Sequence, residues 1–323
     1  MAERTEHFTA AEDAPRLDRW LSEVLELSRG RVQTLLKAGR VSGPAGKVRP
    51  SQKVRSGEVY QVCFPPPPST SLQQQDIDVP VLHEDGAVIV VDKPSGLIVH
   101  PGRGHPDGTL CNALLDKLDG LPGHPQRPGI VHRLDMGTSG VMVVARTQAA
   151  LDYLAAQFAA HTVDRRYLAL VWGFVREESG TIDADLARHP RDRIRFAVVP
   201  GGKHAVTHWR VVDRARFKVP SGMGHLTLVE CRLETGRTHQ VRIHLSHLGH
   251  PLVGDTMYQR PLYKPRNHLP AGLREAVGRI DHPLLHARLL GFEHPDGGRI
   301  EHARPVPQDY QDVLDAAGLV VPQ

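Results

Sequence analysis

The chain has 323 residues, 40% of them hydrophobic and 24% charged, which is the make-up of a folded globular protein too long for a single small domain. No run nears the ~18 apolar residues needed to span a bilayer, and the polar stretch from Met1 to Asp13 lacks a signal-peptide core, so a cytoplasmic protein with no membrane partner is expected. Cys63, Cys111 and Cys231 are odd in number and far apart, which argues against a disulfide framework, and the net charge of +4 leaves the placement of charge to indicate the partner.

Residues 16–26 place Leu17, Trp20, Leu21 and Val24 on one helical face. Ser28 is positioned to cap a second helix over 29–38, with Val32, Leu35 and Leu36 inward and Gly39 just past its end. Short strands are predicted near Arg40-Val41 and over Glu58 to Phe64. Between Arg29 and Arg55 there is no acid, but there are eight cations: Arg29, Arg31, Lys37, Arg40, Lys47, Arg49, Lys53 and Arg55. Such a rim on a small domain, 14–64, suits the phosphates of RNA or DNA; the same charges can also be a solvated face. Pro65 to Pro68, then Ser69-Thr70, predict a semi-rigid linker over 65–75 and a domain boundary.

From 76 to 323 the pattern is mainly of strands. Ala87 to Val91 reads as a buried strand ending in the turn Asp92 to Gly96. A loop with His100, Arg103 and His105 leads to Thr109, which can cap a helix over 110–118. The stretch Gly129 to Val144 then sets an Arg, an Asp and two hydroxyls in a glycine-rich turn ahead of the buried strand Val141 to Val144. A helix follows from Thr147 to Ala160, then strands over 165–173, 204–212 and 225–233, and a helix from Thr238 to His247. Residues 259–283 form a basic, proline-containing excursion, followed by a strand over 285–292 and a helix over 307–317. Strands interrupted by a few helices, without a βαβ rhythm, predict an α+β fold.

Most common chemistries lack their pattern. The 20 histidines include no H-E-x-x-H pair and have no cysteine cluster beside them, so no metal site is expected. Gly137-Thr138-Ser139-Gly140 misses the nucleophile-elbow spacing, and no Gly-Lys-Ser or Gly-Lys-Thr follows a glycine loop. Asp135 remains, either as the ionised acid of an enzyme or as a salt bridge tying a turn to its neighbour. Arg242, along the helix after Glu234-Thr235-Gly236-Arg237, can reach such a carboxylate, and a bidentate Arg–carboxylate pair would hold it as an anion. A two-acid glycosidase would need a second carboxylate in an equivalent motif, and none is evident.

H-R-L-D at 132–135 with T-S-G at 138–140, R-x-Y-x-A-x-V-x-G at 165–173, E-T-G-R-T-H-Q-V-R-I-H at 234–244 and G-H-P-L-V-G-D at 249–255 together resemble the RluA/RluD-type pseudouridine synthase family. V-H-P-G at 99–102 and D-G-T-L-C-N-A-L-L at 107–115 resemble its RluD-like branch, and residues 16–62 resemble the S-four-type RNA-binding domain of that branch.

The resemblance implies a small N-terminal α/β RNA-binding domain and a catalytic domain with a long, bent, mixed, mainly antiparallel sheet flanked by helices. It implies isomerisation of uridine to pseudouridine in large-subunit (23S) rRNA, free or in a precursor particle, by a monomer without cofactor or metal. Asp135 would be the catalytic aspartate and Arg242 its paired base. Tyr167 would stack on the flipped uracil and serve the later proton transfer. Arg133 would support the extruded nucleotide, with His132, Arg237, His239 and Gln240 as further substrate contacts. The chain departs from the family at Met136-Gly137, where a lysine and an acid are frequent, and at the longer turn Val41 to Lys47. A non-enzymatic rRNA-binding or ribosome-assembly factor using the same basic surfaces is the alternative reading.

Overall fold

The computed structural model describes residues 4–27, 29–64, 72–102, 104–120, 122–219, 222–259 and 269–321. Ser28, Arg103, positions 65–71 of the proline-rich linker and 260–268 of the basic excursion lie outside them. The chain forms two compact units, Met1–Ser71 and Leu72–Gln323.

In the small unit the antiparallel order is β1-β4-β2-β3, with β1 Arg4–Thr9, β2 Val41–Gly43, β3 Gly46–Lys47 and β4 Val59–Phe64. Helices α1 (Leu17–Val24) and α2 (Arg29–Lys37) bury Leu17, Trp20, Leu21, Val32, Leu35 and Leu36 with Tyr60 and Val62 of β4. The Trp20 and Tyr60 ring centroids are 5.3 Å apart. Two features differ from the periodicity. Val24 is exposed at the end of α1, while Asp18 is fully buried, where Arg16, Arg29 and Gln33 hydrogen-bond its carboxylate. Strand β1 also went unread, because an edge strand with one face in water carries no continuous apolar signal.

Among the described residues, the large unit is built on a nine-stranded sheet. Its early strands are β5 (Val81–Glu84), β6 (Val88–Lys93) and β9 (Ser139–Ala145), with the short pair β7 (Gly123–His124) and β8 (Arg127–Pro128) outside the sheet. β10 (Asp164–Trp172), β11 (Ser179–Asp183), β14 (Val206–Val219) and β15 (Gly222–Leu233) follow, with a second short pair, β12 (Leu186–Arg188) and β13 (Phe196–Val198). The order is β11-β14-β15-β10-β16-β9-β6-β5, where β16 is Leu285–Glu293 and also pairs with β17, Arg299–Ala303. Every pairing in the sheet is antiparallel except β16 with β9. The class is α+β, mixed and mainly antiparallel, as expected.

Strand β10 lies at the middle of the sheet and shows how the two faces divide. Tyr167, Ala169 and Val171 pack with Met142, Val241 and Leu245 on one face. Leu168, Leu170 and Trp172 pack on the other against α6 (Ala271–Gly278) and α7 (Gln308–Ala317). This alternation is the period-two pattern of a strand buried on both sides. The α6 helix falls inside the segment read only as a basic excursion; its Leu273, Ala276 and Val277 are buried. Two further elements carry the first face, α3 (Leu110–Ala113) behind a Thr109–Asn112 capping box and α5 (Gln240–His247), while α4 (Gln148–Ala159), capped by Thr147, buries Ala150 and Leu154 against Val141 and Val143 of β9. The stretch expected as one helix over 110–118 is split into α3 and a 3-10 turn, Leu115–Lys117. At Gly140, where β9 meets β16, φ is +116° and a Cβ would lie 2.3 Å from the Ala287 carbonyl oxygen, so only glycine allows the strands to approach. Among the described residues, no helix is long and apolar enough to cross a membrane.

Candidate active site

Three distant segments meet on the first face of the sheet: the turn before β9, the strand β10, and the turn leading into α5. The first brings Asp135, its backbone tied by a Thr138 N–H to Asp135 carbonyl bond of 3.0 Å. The second brings Tyr167, opposite Cys231 of β15 and Ala287 of β16 beside a β-bulge. The third brings Arg242, on the buried side of α5. Together they line a cleft of about 370 Å3 that also takes in His132, Arg133, Arg237, His239 and Gln240, so all eight residues singled out in this part of the sequence share one site. Asp135 is the one acid on its wall among the described residues; Arg127, Arg133, Arg165, Arg237 and Arg242 also line it.

The pairing at its centre is not the one expected. The bidentate partner of Arg242 is Asp255, with Nε to Oδ2 at 2.7 Å and Nη2 to Oδ1 at 2.9 Å. Asp135 receives the remaining arm, Nη1 to Oδ2 at 3.4 Å. Burial opposes charge on Arg242, but the hydrogen bonds and charge of Asp255, and the charge of Asp135, outweigh it and raise its pKa. Asp255 is 1% exposed and also accepts the Met257 and Tyr258 N–H groups, so the guanidinium is fixed from behind before it reaches Asp135. Its planar fork holds one carboxylate bidentately and still offers an arm to a second, a geometry that a lysine ammonium does not reproduce.

His239, at the cap of α5, adopts φ 57°, in the left-handed region. Its Nε2 lies 3.9 Å from Asp135 Oδ1, and its Nδ1 is 2.8 Å from the Tyr258 hydroxyl. The Tyr258 ring in turn lies 5.0 Å from the Arg242 guanidinium. Burial pushes His239 below its ordinary pKa, against the pull of Asp135. Burial also raises the Tyr167 pKa, which keeps its phenol protonated.

Two expected substrate contacts are committed to the fold. The Gln240 side chain accepts from Thr235 and the Arg237 N–H and donates to the Val206 carbonyl and Thr207, which fixes the turn. His132 stacks on Phe158 with ring centroids 4.6 Å apart and accepts the Val143 N–H at 3.1 Å; burial, assisted by Arg165, pushes its pKa down to about 3. Arg133 and Arg237 are exposed, and Arg237 Nε donates to the His204 carbonyl.

Four residues were given no role by the sequence. Asp255 closes the G-H-P-L-V-G-D motif, Tyr258 has no motif, and Arg165 opens the R-x-Y motif without announcing its burial. Lys93 reads as a turn lysine but is fully buried. Its ammonium donates to the carbonyls of Pro94, Leu97 and Met136, binding the turn after β6 to the residue after Asp135. Met136 uses its backbone here and is not among the residues that line the cleft, so the departure at this position places no new group there. In the small unit, Lys37, Lys47, Arg49, Lys53 and Arg55 are exposed and Arg40 half-buried. Arg29 pairs with Asp18, and the Arg31 side chain lies outside the described residues.

The model of a family described as RNA pseudouridylate synthase matches residues 87–247. The chain is 45% identical to a ribosomal large subunit pseudouridine synthase D of Xanthomonas campestris, over 93% of this chain and 88% of that one. It is 41% identical to a protein of the same name in Pseudomonas aeruginosa, over 91% and 89%. Among solved structures, human RNA pseudouridylate synthase domain containing 4 superposes with a TM-score of 0.57 at 25% identity, covering 76% of this chain and 95% of that one.

Proposed function

The chain belongs to the RNA pseudouridylate synthase family, and on that premise we propose that it isomerises particular uridines of large-subunit rRNA to pseudouridine. The observation that carries the reading is Asp135, an acid on the wall of an arginine-lined cleft, facing Arg242 and sharing the cleft with Tyr167.

The reaction exchanges the bond from sugar C1′ to uracil N1 for one from C1′ to C5 and moves a proton from C5 to N1, so no electrons are gained or lost. The Asp135 carboxylate either attacks C1′ or removes a proton from the sugar. Both routes expel the base as a uracil anion, which turns and rejoins through C5. Either requires a positioned carboxylate, and Arg242, anchored by Asp255, supplies the positioning. Extruding the target costs a few kcal/mol, which stacking on Tyr167 and phosphate contacts with the cleft arginines offset. Because its phenol stays protonated, Tyr167 passes on the C5 proton as a hydroxyl relay rather than as a phenolate base.

The small unit, through Lys37, Lys47, Arg49, Lys53 and Arg55, holds the surrounding rRNA. The reading places the enzyme in the cytoplasm with its substrate. It also takes the enzyme to act as a monomer. Chemical mapping of pseudouridines in rRNA from cells lacking the protein tests it. Specific large-subunit positions should revert to uridine and be restored by the wild-type chain but not by Asp135→Asn; an unchanged map contradicts the proposal.

A further inference from the structure

Arg165 differs from every other arginine of the cleft. Arg127, Arg133 and Arg237 are exposed, and Arg242 is paired with Asp255. Arg165 is 5% exposed, and no carboxylate pairs with it among the described residues. One arm, Nη2, donates to the carbonyls of Leu233 at 3.2 Å and Glu234 at 2.7 Å. Nε is buried without a partner, and Nη1 has none among the described residues. The guanidinium lies 5.4 Å from the centre of the Phe158 ring on the cleft wall. A Cβ at Gly236 would sit 3.0 Å from Nη1, so the glycine at the tip of this turn leaves that arm uncovered.

Taking an unpaired charge out of water is expensive, and burial accordingly lowers the Arg165 pKa. A fold that needed only to cap two carbonyls could use a neutral donor. A cation kept desolvated in a ligand cleft is instead prepared for an anion that arrives with the ligand. Given the RNA substrate proposed above, on which this step rests, the anion present in every bound state is phosphate. The uracil anion exists only after the glycosidic bond has broken. Arg165 and Tyr167 both face the cleft two residues apart on β10, a separation of about 7 Å along a strand.

We infer that Arg165 is a phosphate-binding residue, taking an oxygen of the RNA backbone next to the uridine that enters the cleft. Binding supplies the counter-charge the free protein lacks, so part of the RNA affinity resides in a residue that surface charge does not reveal.

The test compares wild type, Arg165→Met, Arg165→Lys and Gly236→Val on a short RNA hairpin with a uridine loop, measuring Kd at several salt concentrations together with KM and kcat. Arg165→Met should bind about ten- to a hundredfold more weakly. The slope of log affinity against log salt should become shallower by about 0.7 to 0.9, and turnover at saturating RNA should stay within about threefold of wild type. Arg165→Lys should recover much of the binding. Should Arg165→Met fail to fold, Gly236→Val, which covers Nη1 and leaves the arginine in place, carries the test with the same expected loss. Unchanged affinity and salt slope would overturn the inference. So would a fall in kcat with binding unchanged, which would put the guanidinium on the departing base. A wild type that binds the hairpin without turnover would instead count against the proposed function, with the binding comparison still reporting on Arg165.

Discussion

Arg242 gives its two shorter hydrogen bonds, 2.7 and 2.9 Å, to Asp255 and its longer one, 3.4 Å, to Asp135. The carboxylate proposed to react is thus held by an arginine that a second, buried carboxylate has already oriented. Asp255→Asn removes that orientation and leaves Asp135 untouched. It should lower kcat about 10- to 100-fold with a smaller change in KM, since a displaced positioning group is costly even away from the reacting atoms. Because a buried ion pair is broken, stability should fall by about 3 kcal/mol. Steady-state kinetics beside urea unfolding measure both; wild-type kcat would show that Asp255 serves the fold alone.

Tyr167 has two separable properties, a ring on the cleft wall and a hydroxyl that burial keeps protonated. Tyr167→Phe should bind RNA nearly as well as wild type while turnover collapses. Tyr167→Leu should lose both, with affinity reduced by about 1–3 kcal/mol for the missing stack. Equal binding by the two variants would remove stacking from the account.

His132 gives the fold a pH dependence. Its pKa, about 3 in the fold against an ordinary 6.5, means that the unfolded chain takes up a proton across this window and the folded chain does not. Stability therefore rises with pH through the window and is lost as pH falls below about 6.5. His132→Phe keeps a ring against Phe158 but removes the titration. At pH 7.5 it should be less stable by about 1–3 kcal/mol, having lost the acceptor of the Val143 N–H. That deficit should shrink by about 2 kcal/mol at pH 5. Urea unfolding at the two pH values measures it, and a constant deficit would contradict a neutral buried imidazole.

The basic rim of the small unit should act through charge alone. Changing Lys47, Arg49, Lys53 and Arg55 to glutamine should make the salt dependence of rRNA binding shallower by about 0.7 to 0.9 for each phosphate that is no longer neutralised. Turnover on a saturating short substrate should be unchanged. A fall in kcat would tie the rim to the chemistry.

Asp135, Tyr167 and Arg242 could be read from the sequence because each sits in a distinctive local pattern, and the order of those patterns along the chain indicated that they meet. Their bonding could not be read. Nothing local says that Arg242 turns its fork to Asp255 rather than to Asp135; the choice depends on the turn after α5, whose Met257 and Tyr258 N–H groups also hold Asp255. Lys93 and Arg165 were missed for a related reason. Charged residues are assumed to face water, and only tertiary packing shows that these are buried. Strands were legible where they are buried on both faces, as at β9 and β10 of the large unit, and not at β1, a half-exposed edge of the small unit's sheet. For α6, the spacing of Leu273, Ala276 and Val277 was present, but prolines and basic residues in the same segment masked it.

The most direct test of the central claim is tritium release from uracil C5 by Asp135→Asn, a near-isosteric change that removes the negative charge beside Arg242. Release should fall to background while the variant still binds the RNA with a Kd within about threefold of wild type. Retained release at a rate near that of wild type would contradict the account, and Asp135 would then be a residue that shapes a turn rather than one that carries the reaction.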